Sequence, residues 1–302
     1  MKKISGVTVA ALTPLTEDGM QVDYAAIKDY VDFLVQKGID GIFALGTTGE
    51  GLLLTVQERK KALESFVKAV DERVILIAHC GALRIEEVQE LLDHAKSCGA
   101  HGAAIVAPFY YKYRQDEMTE FFLQVTKDVR DFPIYLYNIP GLTGNWITPK
   151  IAEQIHLQKP EIIGIKDSSG DLLHVISLIN DTPKDFDVVV GCDRAFLTVL
   201  QMGAKGCVSG PAAVFPEFFV KLYEQFKKGD IEGAKQTQKR LTKLSLAVGD
   251  GASIPMLKTA LKWRGLRMGS CRSPLRPLPL HEEVKFKETV EKVLEDVGLS
   301  LR

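Results

Sequence analysis

Glu161-Ile-Ile-Gly-Ile-Lys-Asp-Ser-Ser-Gly170 carries an apolar run, Ile162 to Ile165, into a lysine. Such a run, rich in β-branched residues, reads as a strand buried on both faces, the kind found in parallel sheets. Lys166 stands at its C-terminal end. An ammonium is expensive to desolvate, so a lysine buried there tends to lose its proton. The neutral amine is the form that attacks a ketone to give a Schiff base. Taken alone, a lysine just past a strand end is more simply read as snorkelling into water. Other motifs decide between the two.

Outward from this strand, short β-rich runs alternate with longer amphipathic segments. The other strand candidates are Val7–Ala11, Gly41–Leu45, Val74–Ala78, Ala103–Ala107, Ile134–Tyr137, Val188–Gly191 and Cys207–Ser209. Helical patterns fall between them at Tyr24–Lys37, Val56–Val70, Ile85–Ser97, Gln115–Val129, Thr148–Gln154, Leu172–Ile179, Ala195–Gln201 and Phe215–Lys228. Strands and helices in strict alternation predict an α/β protein, a (β/α)8 TIM barrel. A doubly wound open sheet is the other fold to weigh, but no GxGxxG follows the first strand. Thr55 with Glu58 forms a capping box, and Thr148-Pro149 opens a helix. Gly38 and Gly99 end helical patterns just before strands.

The barrel units end near Lys228, which divides the chain into a catalytic barrel, 1–228, and a C-terminal helical extension, 229–302. Helices are expected in the extension at Ile231–Ala247, Pro255–Trp263 and Glu282–Val297, with Ser273 to Leu280 as an extended proline-rich connector. The basic stretch Lys258 to Arg276 reads as a solvated tail packed on the barrel.

With 302 residues, 46% of them hydrophobic and 25% charged, the chain can bury a large core. A net charge of −1 implies neither a nucleic-acid partner nor an anionic membrane surface. No apolar run is long enough to span a membrane, and Met-Lys-Lys-Ile-Ser-Gly lacks a signal core. Five cysteines without a CxxC argue against a disulfide framework or a zinc site. Reduced thiols in a cytoplasmic protein are expected.

In a barrel the chemistry gathers at the C-terminal ends of the strands, and the unusual residues lie there. Gly46-Thr-Thr-Gly-Glu50 follows the second strand, Pro108-Phe-Tyr-Tyr111 the fourth, and Tyr137-Asn-Ile-Pro140 ends the fifth. The seventh ends in Gly191-Cys-Asp193 and the eighth in Val208-Ser-Gly-Pro211. Flexible backbone at Gly46 to Gly49 lets consecutive amides turn toward one anion, and a substrate carboxylate suits such a nest. A threonine-capped turn is the plainer reading. Tyr137 lies one strand before Lys166, so the two side chains converge, and a phenol there can shuttle protons. Taken alone, Tyr137 and Tyr110 are more simply packing residues.

With Gly46-Thr-Thr-Gly-Glu50, Ala107-Pro-Phe-Tyr110, Tyr137-Asn-Ile-Pro140 and Gly164-Ile-Lys-Asp167 in this order, nearly the whole chain resembles the dihydrodipicolinate synthase/N-acetylneuraminate lyase family. Its members are pyruvate-dependent class I aldolases. The resemblance implies a Schiff base between Lys166 and pyruvate or a 2-keto acid, and Tyr137 as the proton-transfer residue. It implies a carboxylate site at the Thr47 and Thr48 amides, and a hydroxyl relay through Thr47 and Tyr110, the latter often lent across a dimer contact. Val208 matches a position whose backbone touches pyruvate. A homo-oligomer, dimer or tetramer, and no cofactor are also implied.

The family's synthase branch places an arginine shortly after Tyr-Asn-x-Pro to bind the carboxylate of aspartate semialdehyde. Here the chain reads Tyr137-Asn-Ile-Pro-Gly-Leu142-Thr-Gly144, and Leu142 makes no ion pair. Leu-Thr-Gly, and Gly206-Cys-Val-Ser-Gly210, look more like the aldolases of 2-keto-3-deoxy sugar acids. Asp193 matches an acidic residue of the lyase branch, but Arg194 reverses the charge of the next. The expected reaction is therefore reversible aldol cleavage of a 2-keto-3-deoxy sugar acid to pyruvate and an aldehyde. Condensation of pyruvate with aspartate semialdehyde is the alternative, and a non-catalytic 2-keto-acid sensor a third. A metal-dependent aldolase needs a His/carboxylate cluster at the strand ends, and only His79 is suitably placed. No metal site is expected.

Overall fold

The computed structural model describes residues 2–251 and 253–296. Eight parallel strands close a barrel in chain order: β1 Gly6–Ala10, β2 Gly41–Ala44, β3 Ile75–His79, β4 Gly102–Val106, β5 Ile134–Asn138, β6 Ile162–Asp167, β7 Asp187–Val190 and β8 Gly206–Ser209. β8 pairs back onto β1. This is the expected (β/α)8 barrel with additional C-terminal helices, and the open sheet is excluded.

The helices around it are α1 Ala26–Gln36, α2 Val56–Val70, α3 Ile85–Ser97, α4 Gln115–Thr126, the single turn α5 Pro140–Thr143, α6 Pro149–Gln158, α7 Leu172–Asp181, α8 Phe196–Met202 and α9 Pro216–Lys227. Their starts follow local chemistry. The Thr55 hydroxyl accepts from the Glu58 amide while the Glu58 carboxylate takes the Thr55 amide, completing the capping box at α2. Thr148 caps α6 ahead of Pro149. Gly38 and Gly99 take left-handed backbone just after α1 and α3, as chain reversal into the next strand requires.

Two apolar cores result. One lies between sheet and helices and includes Val7, Ile42, Ile105, Ile134, Ile162 and Ile165. The other fills the barrel with Phe43, Ile77, Val106, Tyr135, Tyr137, Ile163 and Val189. The Tyr135 hydroxyl accepts from the Ile4 amide, 2.8 Å away, which closes the bottom of the barrel. Activity therefore belongs at the other end.

β6 departs from a regular strand in a way that matters. Ile134 pairs with Ile162, but Tyr135 pairs with Gly164, so Ile163 is an extra residue in β6. From there Tyr137 faces Lys166 across the ladder. Without this irregularity Tyr137 would face Ile165, and Lys166 would point the other way, because a one-residue slip exchanges the faces of a strand. Gly164 is needed beside it, since a Cβ there would lie 2.7 Å from the Tyr135 ring.

Beyond the barrel lie α10 Ile231–Ala247, α11 Ile254–Trp263 and α12 Leu280–Glu295. The expected helix end at Val297, and the rest of the extension to residue 302, lie outside the described residues. Leu241, Leu244, Leu257 and Leu261 join the same core as the barrel helices. The basic stretch is not the solvated tail its charge pattern suggested. Lys258 is buried and ion-paired with Glu50, Arg264 with Glu217, and Arg272 with Glu58. These three cations are matched by acids distant in sequence, which local charge patterning does not reveal. Among the described residues no helix is long and apolar enough to cross a membrane, and the five thiols are free.

Candidate active site

The C-terminal ends of β5, β6, β7 and β8 and the loop after β2 surround a cavity of about 310 Å³. Lys166 projects into it from β6 and is 4% exposed. Its Nζ lies 4.1 Å from the centre of the Tyr137 ring and 4.4 Å from that of Phe43. Among the described residues no carboxylate pairs with it. Ring faces attract a cation, so the same two rings would favour an iminium formed at this nitrogen.

Tyr137 is held edge-on by Phe43 and His79, with ring centres 5.8 and 5.9 Å away. Its hydroxyl lies 3.3 Å from Thr47 Oγ1. That is long for a hydroxyl pair, as unliganded catalytic hydrogen bonds commonly are. Thr47 and Thr48 both line the cavity. The turn that carries them uses the amides of Glu50 and Gly51 for its own bonds, to the carbonyls of Thr47 and Gly46. Among the described residues the amides of Thr47 and Thr48 have no protein acceptor.

The other expected residues divide. Gly191, Asp193 and Val208 line the cavity. Gly46 does not line it; its role is the turn, where a Cβ would lie 2.7 Å from the Phe43 ring. Tyr110 is 81% exposed with left-handed backbone, φ 77°, and is not brought to the cavity within the chain. Sequence reasoning missed Ser168, Asp250, Gly251 and Ile254 in the wall. Asp250 and Gly251 come from the segment joining α10 to α11 and Ile254 from the first turn of α11, where no motif signals them.

A second hollow of about 210 Å³ adjoins the first, sharing Thr47, Ile139, Leu142 and Ile254. His79 lines it, and its Nδ1 lies 3.2 Å from the Leu45 carbonyl. A carbonyl only accepts, so Nδ1 carries the proton. Burial, and then the charges of Arg59 and Lys166, hold the imidazole well below its usual range. His79 is thus a neutral hydrogen-bonding residue.

Asp193 is buried, and its Oδ1 has no partner among the described residues. Burial, reinforced by the charge of Asp250, pushes its carboxyl up to about 7. Between the ordinary carboxylate range and 7, the folded chain holds a proton that the unfolded chain releases. Stability on this account falls as pH rises through that window, and the full cost is present above it. Asp193→Asn should flatten this slope and melt above the parent at pH 8. Tm measured from pH 4 to pH 8 checks it; parallel profiles would show that Asp193 does not carry a proton at neutral pH.

The model of the dihydrodipicolinate synthetase family matches residues 3–293. The chain belongs to that family. Membership makes it a lyase of the class I aldolase type. It is 36% identical over 273 residues to the 4-hydroxy-tetrahydrodipicolinate synthase of Thermus thermophilus, covering 90% of this chain and 91% of that one. It is 31% identical over 292 residues to a probable 2-dehydro-3-deoxy-D-pentonate aldolase of Escherichia coli, covering 95% of this chain and 96% of that one. Among solved structures, a prophage protein of this family from Escherichia coli, in complex with pyruvate, superposes with a TM-score of 0.92. It is 28% identical, and the match covers 97% of this chain and 99% of that one.

Proposed function

We propose that Lys166 forms a Schiff base with pyruvate or a related 2-keto acid, and that carbon–carbon bonds form or break beside it. The observation that carries this is the meeting of the Lys166 amine with the Tyr137–Thr47 hydroxyl pair in one cavity. Attack of the amine on the keto carbon gives a carbinolamine, whose loss of water needs a proton delivered to the leaving hydroxyl. Tyr137 stands where it can deliver that proton and later withdraw one from the methyl carbon. The free amides of Thr47 and Thr48 hold the carboxylate. Tyr110 completes the relay from a second copy of the chain, which makes the enzyme a homo-oligomer. The free thiols suit a cytoplasmic enzyme, and 1–228 with 229–302 remain its barrel and its extension. Borohydride with pyruvate should fix a stable adduct on Lys166, mapped by peptide mass. An adduct elsewhere, or none in active enzyme, refutes the assignment.

For the second substrate, the comparisons weigh toward condensation with aspartate semialdehyde, against the sugar-acid aldolase expected from the sequence. Identity is higher to the synthase than to the pentonate aldolase. One observation keeps the aldolase as a second reading. Leu142 stands in the wall shared by both hollows, where a carboxylate would need a cation. The nearby cations are engaged: Lys112 Nζ lies 2.7 Å from the Gly144 carbonyl, and Arg194 pairs with Asp250 at 3.2 Å. Leu142→Arg should raise kcat/KM for aspartate semialdehyde relative to glyceraldehyde by roughly two- to fivefold, the modest worth of an exposed pair. An unchanged ratio would mean that the acceptor carboxylate is bound elsewhere.

A further inference from the structure

The loop that carries Thr47 and Thr48 is strained at both ends. Leu45 and Glu50 both take left-handed backbone, with φ of 62° and 56°. A non-glycine residue persists in that region only where its surroundings over-determine it. Gly51 has no room for a side chain, since a Cβ would lie 1.8 Å from the Leu45 carbonyl oxygen. A loop folded this tightly has to be held.

Three side-chain anchors hold it. The Thr13 hydroxyl donates to the Gly49 carbonyl at 2.6 Å, and His79 Nδ1–H donates to the Leu45 carbonyl at 3.2 Å. The third is the Glu50 carboxylate, whose side chain is 0% exposed. Its Oε1 lies 2.5 Å from Lys258 Nζ, and its Oε2 accepts from the Arg272 amide at 2.6 Å. Lys258 also donates to the Ser270 carbonyl at 2.7 Å. One buried ion pair therefore ties the loop after β2 to α11 and to the strap at residues 270–272. Arg272 adds a second tie through Glu58 on α2, the helix that follows the loop.

The pair is an odd choice if its role is stability alone. Burying two charges costs solvation that their attraction does not reliably return, and apolar replacements of such pairs are often no less stable. A buried pair does fix geometry, because neither charge can leave its partner without being stranded. Here the geometry fixed is that of the Thr47 and Thr48 amides, with Ile254 of the same helix α11 in the cavity wall.

We propose that Glu50 and Lys258 are positioning residues of the active site, a buried latch that sets the Thr47–Thr48 amides for the substrate carboxylate from the C-terminal extension. The substrate part of this rests on the function proposed above; the positioning part does not. Burial lowers the Lys258 ammonium from its usual value, Glu50 opposing, so the cation depends on its partner.

The test compares Lys258→Met with Glu50→Gln/Lys258→Met in the full chain. The single variant strands a buried carboxylate and should melt well below the parent. The double variant should recover most of the lost Tm, because no charge is left unpaired. Its loop should still be loosened. Amide exchange in the peptide covering residues 46–54 should quicken by about tenfold, and half-saturation for pyruvate in borohydride trapping should rise about as much. The kcat should fall by less than about threefold, because Lys166 and Tyr137 are untouched. A double variant with parental Tm, parental loop exchange and parental half-saturation would overturn the proposal and leave the pair merely structural. If the parent itself traps no pyruvate, the function proposed above falls, and loop exchange alone decides the positioning.

Discussion

Lys166→Ala is expected to abolish turnover while leaving a folded barrel. If Lys166 is the nucleophile, as proposed, its loss removes the covalent route altogether, and the fall should be on the order of 10⁴-fold or more. The fold should survive because the substitution strands nothing. The amine is buried between the Tyr137 and Phe43 rings, and among the described residues no carboxylate is paired with it. Removing a lysine that no carboxylate pairs with enlarges the existing cavity rather than leaving an ion-pair partner stranded. Circular dichroism and Tm near the parental values, with no detectable product and no borohydride adduct, are the expected results. Measurable turnover in the folded variant would move the Schiff base to another lysine.

The fold was legible because short continuous apolar runs and amphipathic helices alternate with few interruptions. Val56–Val70 and Ile85–Ser97 occur as read, since the Thr55–Glu58 capping box marks the start of the first, Gly99 the end of the second, and the apolar stripe runs between. The residues at strand ends were legible for a related reason. Hydroxyl, phenol and amine groups stand out against strands made of valine, isoleucine and alanine. What stayed hidden is long-range or irregular. The extra residue Ile163 in β6 has no composition of its own, yet it decides which way Lys166 points. Glu50 and Lys258 lie far apart in the chain, and each by itself resembles a surface charge. Asp250, Gly251 and Ile254 reach the cavity only because α10 and α11 fold back over the barrel mouth. Tyr110, singled out by its motif, stays outside the cavity of its own chain, where a relay role requires a second copy.

Tyr137→Phe is expected to keep the cavity and lose most of the rate. The ring fills the barrel interior at 2% exposure and packs edge-on against Phe43 and His79, contacts that phenylalanine retains. What disappears is one hydroxyl, 3.3 Å from Thr47 Oγ1 and on the strand neighbouring Lys166. If that hydroxyl moves protons in forming and dehydrating the carbinolamine, kcat should fall by roughly 10²–10⁴-fold, the usual worth of a positioned acid or base. Pyruvate half-saturation should change little, because the carboxylate is assigned to the Thr47 and Thr48 amides. The order of events also separates this variant from Lys166→Ala. A lysine without its proton shuttle still reacts slowly, so borohydride should trap the adduct after long incubation, with a lower rate and an undiminished final yield. Trapping at the parental rate would remove Tyr137 from Schiff-base formation. A parental kcat would remove it from the chemistry altogether, and the proton would have to travel by Thr47 and water alone.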